Sequence, residues 1–317
     1  MFKLEFNIPA SSKKIELHDK ILLMGSCFSD EIGSLLAENK FNCLSNPFGT
    51  IYNPYSIFKL ISDQASSGDV IESQGVYYHW DAHGAISGLT EQGTKELFKH
   101  KTKETQQFIR DAKWLIITLG TAHVYELSDG RIVANCHKID ASKFHKRLLR
   151  QDEIVHQFKE LHSHLTKTVT DIRVLFTISP VRHIRDGLVE NNQSKAILID
   201  AVRLLVDQYE NVDYFPSYEI LIDELRDYRF FSEDMVHPSR KAIHYIWQKF
   251  VDTYFKNETI AFLSDWQKIK TALQHKPFQP ESDAHQQFLK ATLRKLEKMN
   301  EKVDVTVEIE LLKNQIL

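Results

Sequence analysis

The sequence predicts a parallel α/β sheet, because short strand-like runs recur along the chain with amphipathic, helix-length stretches between them. The runs are Ile21–Met24, Trp114–Leu119, Arg173–Ile178 and Val212–Phe215, and the stretches are 94–110, 152–170 and 193–208. An apolar run that ends in glycine, as Ile21–Met24 does at Gly25, fits a buried parallel strand.

Each element has a local reason. After Gly25, Ser29-Asp30-Glu31 supply an oxygen-rich first helical turn, and Phe28, Ile32, Leu35 and Leu36 supply its apolar face. A loop rich in Asn, Pro and Gly leads through Pro54 into a helix expected to end near Ser62. Residues 66–95 hold several glycines and the aromatic cluster Tyr77-Tyr78-His79-Trp80, which read as an insertion over the ligand end of the sheet. Asp129-Gly130 between Val124–Leu127 and Arg131–Ala134 predicts a hairpin, since that dipeptide tolerates positive φ. Ser179-Pro180 ends the 173–178 strand where a doubly wound sheet opens its ligand crevice. The 193–208 helix shows apolar spacing at Ala196, Ile197, Ile199, Val202, Leu205 and Val206, and Ile220–Leu225 adds a short helix. Beyond Pro238, Ile243, Ile246, Trp247 and Phe250 mark a core-facing helix. Pro277 and Pro280 mark a linker, followed by an amphipathic stretch at 284–302 and an apolar-rich tail. The expected division is an α/β domain over 1–256 and a helical C-terminal extension over 257–317. The extension's amphipathic helix leaves two outcomes open, packing on its own domain or forming a homo-oligomer.

Composition narrows the function classes. The 317 residues are 42% hydrophobic, enough for one large core or a core plus an appendage. Forty basic against forty-three acidic residues leave a formal charge of −3, with no basic patch that argues for nucleic acid. No apolar run is long enough to span a membrane, and the residues from Met1 to Asn7 lack the apolar core of a signal peptide. Three cysteines, an odd number, suggest no disulfide framework and fit a reducing interior, so the cytoplasm is the expected location.

Two motifs carry chemistry. In Gly25-Ser26-Cys27-Phe28 a thiol stands where a strand stops and a helix begins. Free backbone N–H groups and the positive end of the helix dipole there favour a thiolate or an oxyanion, so a lowered thiol pKa is expected. The plain alternative is a small core cysteine beside a tight turn. In Asp234-Met235-Val236-His237-Pro238, a carboxylate three residues before a histidine can orient the imidazole for proton transfer, although a surface-loop histidine also fits.

Further blocks, in order, are Asn46-Pro47-Phe48-Gly49-Thr50-Ile51-Tyr52-Asn53-Pro54, Thr118-Leu119-Gly120-Thr121-Ala122-His123, Asn135-Cys136-His137-Lys138 and Ser179-Pro180-Val181-Arg182-His183. With Gly-Ser-Cys-Phe and Asp234-x-x-His237-Pro238, the chain resembles the GSCFA family over residues 20–250. That family is similar to the SGNH (GDSL-type) hydrolases, which include esterases, lipases and acetyltransferases. The resemblance implies a flavodoxin-like, three-layer α/β/α fold. It places the nucleophile on Cys27, with Ser26 as second choice, and the acid–base pair on Asp234 and His237. It implies an oxyanion N–H from Gly49, with Asn46 nearby. Where those hydrolases carry an Asn donor after the third-block glycine, here Gly120, this chain has Thr121-Ala122-His123. Thr121, His123, Asn46 or Asn53 must then replace it. His137, Arg182 and His183 are candidate substrate contacts.

Three function classes follow. The first is an acyl-ester hydrolase or acyltransferase on a small-molecule or carbohydrate ester, with no cofactor. The second is a non-catalytic binding module using the same cleft. The third is a zinc site built from Cys27, Cys136, His137 and His237, for which no Cys-x-x-Cys or His-x-x-x-His spacing exists.

Overall fold

A computed structural model describes residues 4, 5 and 7–317. In chain order the elements begin with β1 (Ile21–Gly25), α1 (Cys27–Glu38), β2 (Cys43–Ser45) and α2 (Pro54–Ile61). Next come β3 (Val70–Ser73), β4 (Val76–His79), β5 (Ser87–Gly88), α3 (Glu91–Arg110) and β6 (Trp114–Leu119). They continue with β7 (His123–Leu127), β8 (Ile132–Val133), β9 (Phe144–Leu148), α4 (Gln151–Thr168), β10 (Arg173–Ile178), α5 (Leu188–Gln208) and β11 (Val212–Phe215). A short α6 (Ser217–Glu219) runs into one π-helical turn (Ile220–Glu224), before α7 (Arg240–Tyr254), α8 (Asn257–Leu273), α9 (Asp283–Met299) and α10 (Thr306–Lys313).

The central sheet has five parallel strands in the order β11-β10-β6-β1-β2. Counted in chain order among themselves, these strands run 5-4-3-1-2, the flavodoxin-like arrangement, whose direction switches between β1 and β6. Alternate side chains of each strand leave the sheet on opposite faces. Leu22, Met24, Leu115, Ile117, Val174 and Phe176 pack under α2, α4 and α5, whereas Ile21, Leu23, Trp114, Ile116 and Leu175 pack under α1 and α7. Both faces are covered, which is why the strands are apolar without alternation. The result is a mixed α/β fold with helices on both sides of a parallel sheet and further helices at the C-terminus.

Of the two small antiparallel sheets, the sequence signals only the Asp129-Gly130 hairpin of the second. The 66–95 insertion contains a sheet in the order β3-β4-β5, whose hairpin turns at Gln74-Gly75, both at positive φ. His79 is its anchor: Nε2 donates to Ser66 O at 2.9 Å and the ring stacks on Phe98. His137 follows Ala134, whose N–H donates to Trp80 O, and His137 Nε2 donates to His79 O at 2.9 Å. A second sheet, β8-β7-β9, contains the expected Asp129-Gly130 hairpin plus β9, which pairs with β7 along its length. The short, half-buried strands β3, β4 and β5 carry too little apolar alternation to register in a sequence.

The C-terminal helices share a third apolar cluster: Phe262, Trp266, Ile269, Leu289, Leu296, Val305 and Leu312. It meets the α/β sheet domain at the far end of α1, where Trp266 Nε1 donates to Glu38 O at 2.8 Å and Lys270 Nζ to Asn39 Oδ1 at 3.0 Å. Among the described residues, no helix is long and apolar enough to cross a membrane.

Two predictions follow from backbone and burial. Gly25 has φ +142° and a Cβ there would lie 2.1 Å from Thr118 O, whereas Gly75 has φ +78° with open space around it. Gly25→Ala should therefore cost on the order of 3–5 kcal/mol in urea unfolding, and Gly75→Ala about 1 kcal/mol of backbone strain. Equal losses would refute the close approach of β1 to β6. Burial pushes His79 and His137 from 6.5 down to about 4, so both are neutral in the fold. The unfolded chain binds these protons and the fold does not, so their stabilisation is complete above about pH 6.5 and is lost as pH falls toward 4. His137→Phe should flatten that acid loss in urea titrations at several pH values; an unchanged slope would show that His137 does not report it.

Candidate active site

The turn between β1 and α1 sits at the switch in strand order. Gly25 N–H donates to Asn46 Oδ1 at 2.8 Å, Ser26 N–H to Thr118 O at 3.0 Å, and Ile51 N–H to Gly25 O at 3.0 Å. Ser26 caps α1, its Oγ accepting from Phe28 N–H at 3.3 Å and donating to Ser179 Oγ at 2.9 Å. Its side chain is buried, at 1% exposure, and committed to these bonds. Cys27 is the first residue of α1 and is only partly buried, with no disulfide. The two candidate nucleophiles thus occupy different environments: a buried hydroxyl committed to capping the helix and a half-buried thiol.

The thiol's electrostatics correct the sequence expectation of a lowered pKa. Burial pushes it up, and the carboxylates of Asp30 and Glu31 push the same way, against the N–H groups of Cys27 and Phe28. The helix start is favourable, but desolvation outweighs it.

The Asp234–His237 loop lies beside the end of β10. Asp234 Oδ2 is 2.6 Å from His237 Nδ1, and Oδ1 accepts from the N–H groups of Val236 and His237 at 2.9 and 3.0 Å. These bonds hold the Asp234 carboxyl down at about 2. Because a carboxylate only accepts, Nδ1 carries the hydrogen and Nε2 is left as the basic nitrogen. Arg182 docks this loop on the 179–182 segment: its N–H donates to Val236 O at 3.2 Å, Nη1 to Met235 O at 3.3 Å, and its guanidinium lies 4.1 Å from the Phe231 ring centre. No hydrogen bond joins His237 to Cys27 or Ser26 among the described residues, and the Asp234 and His237 side chains are each 48% exposed.

The other expected residues are mostly engaged elsewhere. Gly49 N–H donates to Asn46 O at 2.7 Å, and Gly49 packs on His83 of the insertion. Asn46 Nδ2 donates to Asp30 Oδ1 at 2.8 Å, so this amide builds the turn. Thr121 Oγ1 pairs with Ser194 Oγ at 3.0 Å and accepts from His123 N–H. His123 and His183 both face Asp186, at 3.9 and 3.3 Å, and Lys146 bonds the same carboxylate. His137 is buried against Tyr78 in the insertion, and Trp80 beside it is 8% exposed, so neither ring is an open stacking platform. Asn53 caps α2 through Oδ1, accepting from Ser56 N–H at 2.8 Å, and its Nδ2 has no protein acceptor among the described residues. Gly120 N–H and Thr121 N–H both donate to Tyr52 O, and Gly120 lies against the Tyr52 ring, 2.9 Å from where a Cβ would stand.

Two neighbours of Cys27 were not singled out from the sequence. Tyr52 bears a hydroxyl that burial pushes up in pKa, with the negative forms of Cys27 and Asp30 adding to it, so it shares the thiol's surroundings. Lys195, on α5, is 1% exposed and donates from Nζ to Gly120 O and Ser179 O, both at 2.8 Å. Its signal in the sequence is the buried stripe Asn191, Ser194, Lys195, Leu198, Val202 and Leu205, which carries the apolar face of α5 back onto polar residues. Among the described residues, no cluster of three or more His, Cys, Asp or Glu side chains is arranged to hold a metal.

Among solved structures, the chain is similar to a carbohydrate esterase family 3 protein from Talaromyces cellulolyticus, with TM-score 0.35 and 8% identity over 78% of this chain and 99% of that one. It is also similar to a mutant acetyl esterase with acetate ion, with TM-score 0.36 and 10% identity over 78% and 99% of the two chains. A third is an acetyl xylan esterase from the rumen bacterium Butyrivibrio proteoclasticus, with TM-score 0.37 and 11% identity over 78% of this chain and 64% of that one. No curated protein matches the sequence. Residues 266–317 match the GSCFA domain protein C-terminal domain, and residues 20–250 match the GSCFA family, to which this chain belongs.

Proposed function

We propose that the cleft at the β1–α1 turn is a thiol-dependent acyl-transfer centre, hydrolysing or transferring the acyl group of a small-molecule ester, with acylated carbohydrates among the candidates. The observation that carries this reading is the contrast at the turn. Cys27 is half-buried at the start of α1, while Ser26 is buried and bonded to Ser179. A nucleophile must reach a carbonyl carbon, and Ser26 would have to give up a helix cap to do so.

The reaction divides among the residues as follows. Asp234 orients His237, whose Nε2 takes the proton from Cys27 Sγ directly or through one water. Sulfur bonds to the ester carbonyl carbon, and the carbonyl π pair moves to oxygen. That oxygen is met by the Cys27 N–H, with the Tyr52 hydroxyl and Asn53 Nδ2 among the donors still uncommitted, as is the His123 ring. Collapse expels the alcohol, which receives the proton held on His237. Water or a second alcohol then releases the acyl group from sulfur. In this scheme Tyr52 takes the role that the third-block Asn has in SGNH hydrolases.

A binding-module reading is favoured by the raised thiol pKa and by the missing hydrogen bond between His237 and Cys27. The two readings separate on a panel of short-chain aryl esters and acetylated sugars. Cys27→Ala should lower turnover by at least about 100-fold, and Tyr52→Phe by roughly 100- to 1,000-fold. Ser26→Ala should keep turnover within roughly tenfold, while losing about 1–2 kcal/mol of stability through its cap and buried bond. Turnover that survives Cys27→Ala, or none on the whole panel, would sink the thiol mechanism; turnover lost only in Ser26→Ala would move the nucleophile by one residue.

A further inference from the structure

The neighbouring parallel strands β6 and β10 release their chains into loops at the same carboxyl edge of the sheet. The loop after β6 leads to His123 at the start of β7, and the segment after β10 carries His183 and Asp186. On the small β8-β7-β9 sheet, His123 shares a face with Tyr125 and with Lys146, the cross-strand partner of Tyr125. Three segments thus bring two imidazoles and an ammonium to one carboxylate. Asp186 Oδ2 is 3.9 Å from His123 Nε2 and 3.3 Å from His183 Nε2, and Oδ1 accepts from the Lys146 ammonium. Both rings stand on anchored backbone: His183 N–H donates to Asn191 Oδ1 at 2.9 Å, and His123 N–H to Thr121 Oγ1 at 3.1 Å. The cluster flanks the cleft, since Arg182, just before His183, docks the Asp234–His237 loop, and Gly120, three residues before His123, lies against Tyr52.

Folding alone does not account for these side chains. Both ring nitrogens of His123, and Asp186 Oδ2, are buried with no hydrogen-bond partner among the described residues. The Lys146–Asp186 pair by itself would fasten the 183–186 segment to β9, and an apolar ring at 123 would fill the space without unpaired polar atoms. Charge then selects what could pair them. Burial pushes both imidazoles below their usual pKa and the Lys146 charge adds to this, whereas the bond from Lys146 holds the Asp186 carboxyl down against burial. The cluster therefore carries one negative and one positive charge, bonded to each other, beside two neutral rings. An anion would be repelled by the Asp186 carboxylate, and a cation by the Lys146 ammonium. A hydroxyl both donates and accepts, so it can give its hydrogen to Asp186 Oδ2 or a bare ring nitrogen while accepting from a ring N–H.

Resting on the acyl-transfer reading for its place beside the cleft, we propose that His123, His183 and Asp186 form the subsite for the alcohol part of the substrate, a neutral polyhydroxylated molecule of the sugar class. Neighbouring hydroxyls of one ligand can each meet one imidazole while sharing the Asp186 oxygen between them. This use of the His123 ring leaves the Tyr52 hydroxyl and Asn53 Nδ2 for the carbonyl oxygen.

The experiment is an NMR titration of the full-length protein, isotope-labelled at histidine Cε1, with methyl β-glucopyranoside, N-acetylglucosamine, xylose and myo-inositol. The His123 and His183 resonances are assigned with His123→Phe and His183→Gln. At least one of these polyols should shift both resonances saturably at millimolar concentration, and inorganic phosphate and tetramethylammonium should not compete with it. His123→Phe, read at His183, should weaken polyol binding roughly tenfold, and so should Asp186→Asn. The urea midpoint of His123→Phe should equal or exceed that of wild type, which a ring kept for packing would not allow. If His123→Phe does not fold, Asp186→Asn read at both rings carries the same expectation for binding. No saturable shift with any of these polyols, displacement of the polyol by phosphate, or a folded His123→Phe that binds as tightly as wild type would overturn the proposal. The readout needs no turnover. Polyol binding with a silent ester panel removes the enzyme reading alone, and Cys27-dependent turnover without polyol binding removes this proposal alone.

Discussion

Everything at the cleft depends on how closely β1 approaches β6 at Gly25. A side chain there would collide with the Thr118 carbonyl, so its absence lets the chain leave the sheet in a conformation that ordinary residues avoid. The next N–H then bonds that same carbonyl, and the chain turns directly into α1 with Ser26 as cap and Cys27 as first residue. Because the strand order reverses between these two strands, the crevice of the parallel sheet opens at this point. One close contact between backbones sets the location of the thiol, the start of its helix and the mouth of the cleft.

Around that turn the polar groups are nearly all spoken for. Asn46 supports Gly25 and Asp30, Thr121 and Ser194 hold each other, and Thr177 bonds Ser217. Such a network is rigid because a broken member leaves a buried group unpaired, and it leaves few side chains free for chemistry. The exceptions are informative: the Cys27 thiol, the basic nitrogen of His237, the Tyr52 hydroxyl, the Asn53 amide nitrogen and both ring nitrogens of His123, which have no hydrogen-bond partner among the described residues. Elimination by hydrogen-bond accounting thus shortens the set of groups that can face a ligand.

Much of the central fold was legible in the sequence, and the reason is burial. Trp114–Leu119, Arg173–Ile178 and Val212–Phe215 coincide with β6, β10 and β11, since strands covered on both faces must be apolar throughout. β2, with three residues, all half-buried, gave no such signal, and neither did β9. The α5 helix begins at Leu188 instead of near 193, because its first turns bury Asn191 and Ser194, residues that a search for apolar spacing passes over. Lys195 was missed for the same reason. Cys27 and the Asp234–His237 pair were legible as local motifs, whereas the roles expected of Gly49, Thr121 and His123 depended on partners, such as Asn46, Ser194 and Asp186, that only the tertiary structure brings together.

The C-terminal helices grip α1 at the end opposite its thiol, through Trp266 on Glu38, Lys270 on Asn39 and Glu308 on Lys40. Each residue of an α-helix advances about 1.5 Å and turns about 100°. The twelve residues of α1 therefore act as a rod about 18 Å long with a fixed phase between the tail's grip and the thiol's azimuth. One residue added or removed inside that rod would swing either the thiol or the tail's anchor by more than a quarter turn. The spacing from Cys27 to Glu38 is thus a gauge length, and the tail reads it from the other end.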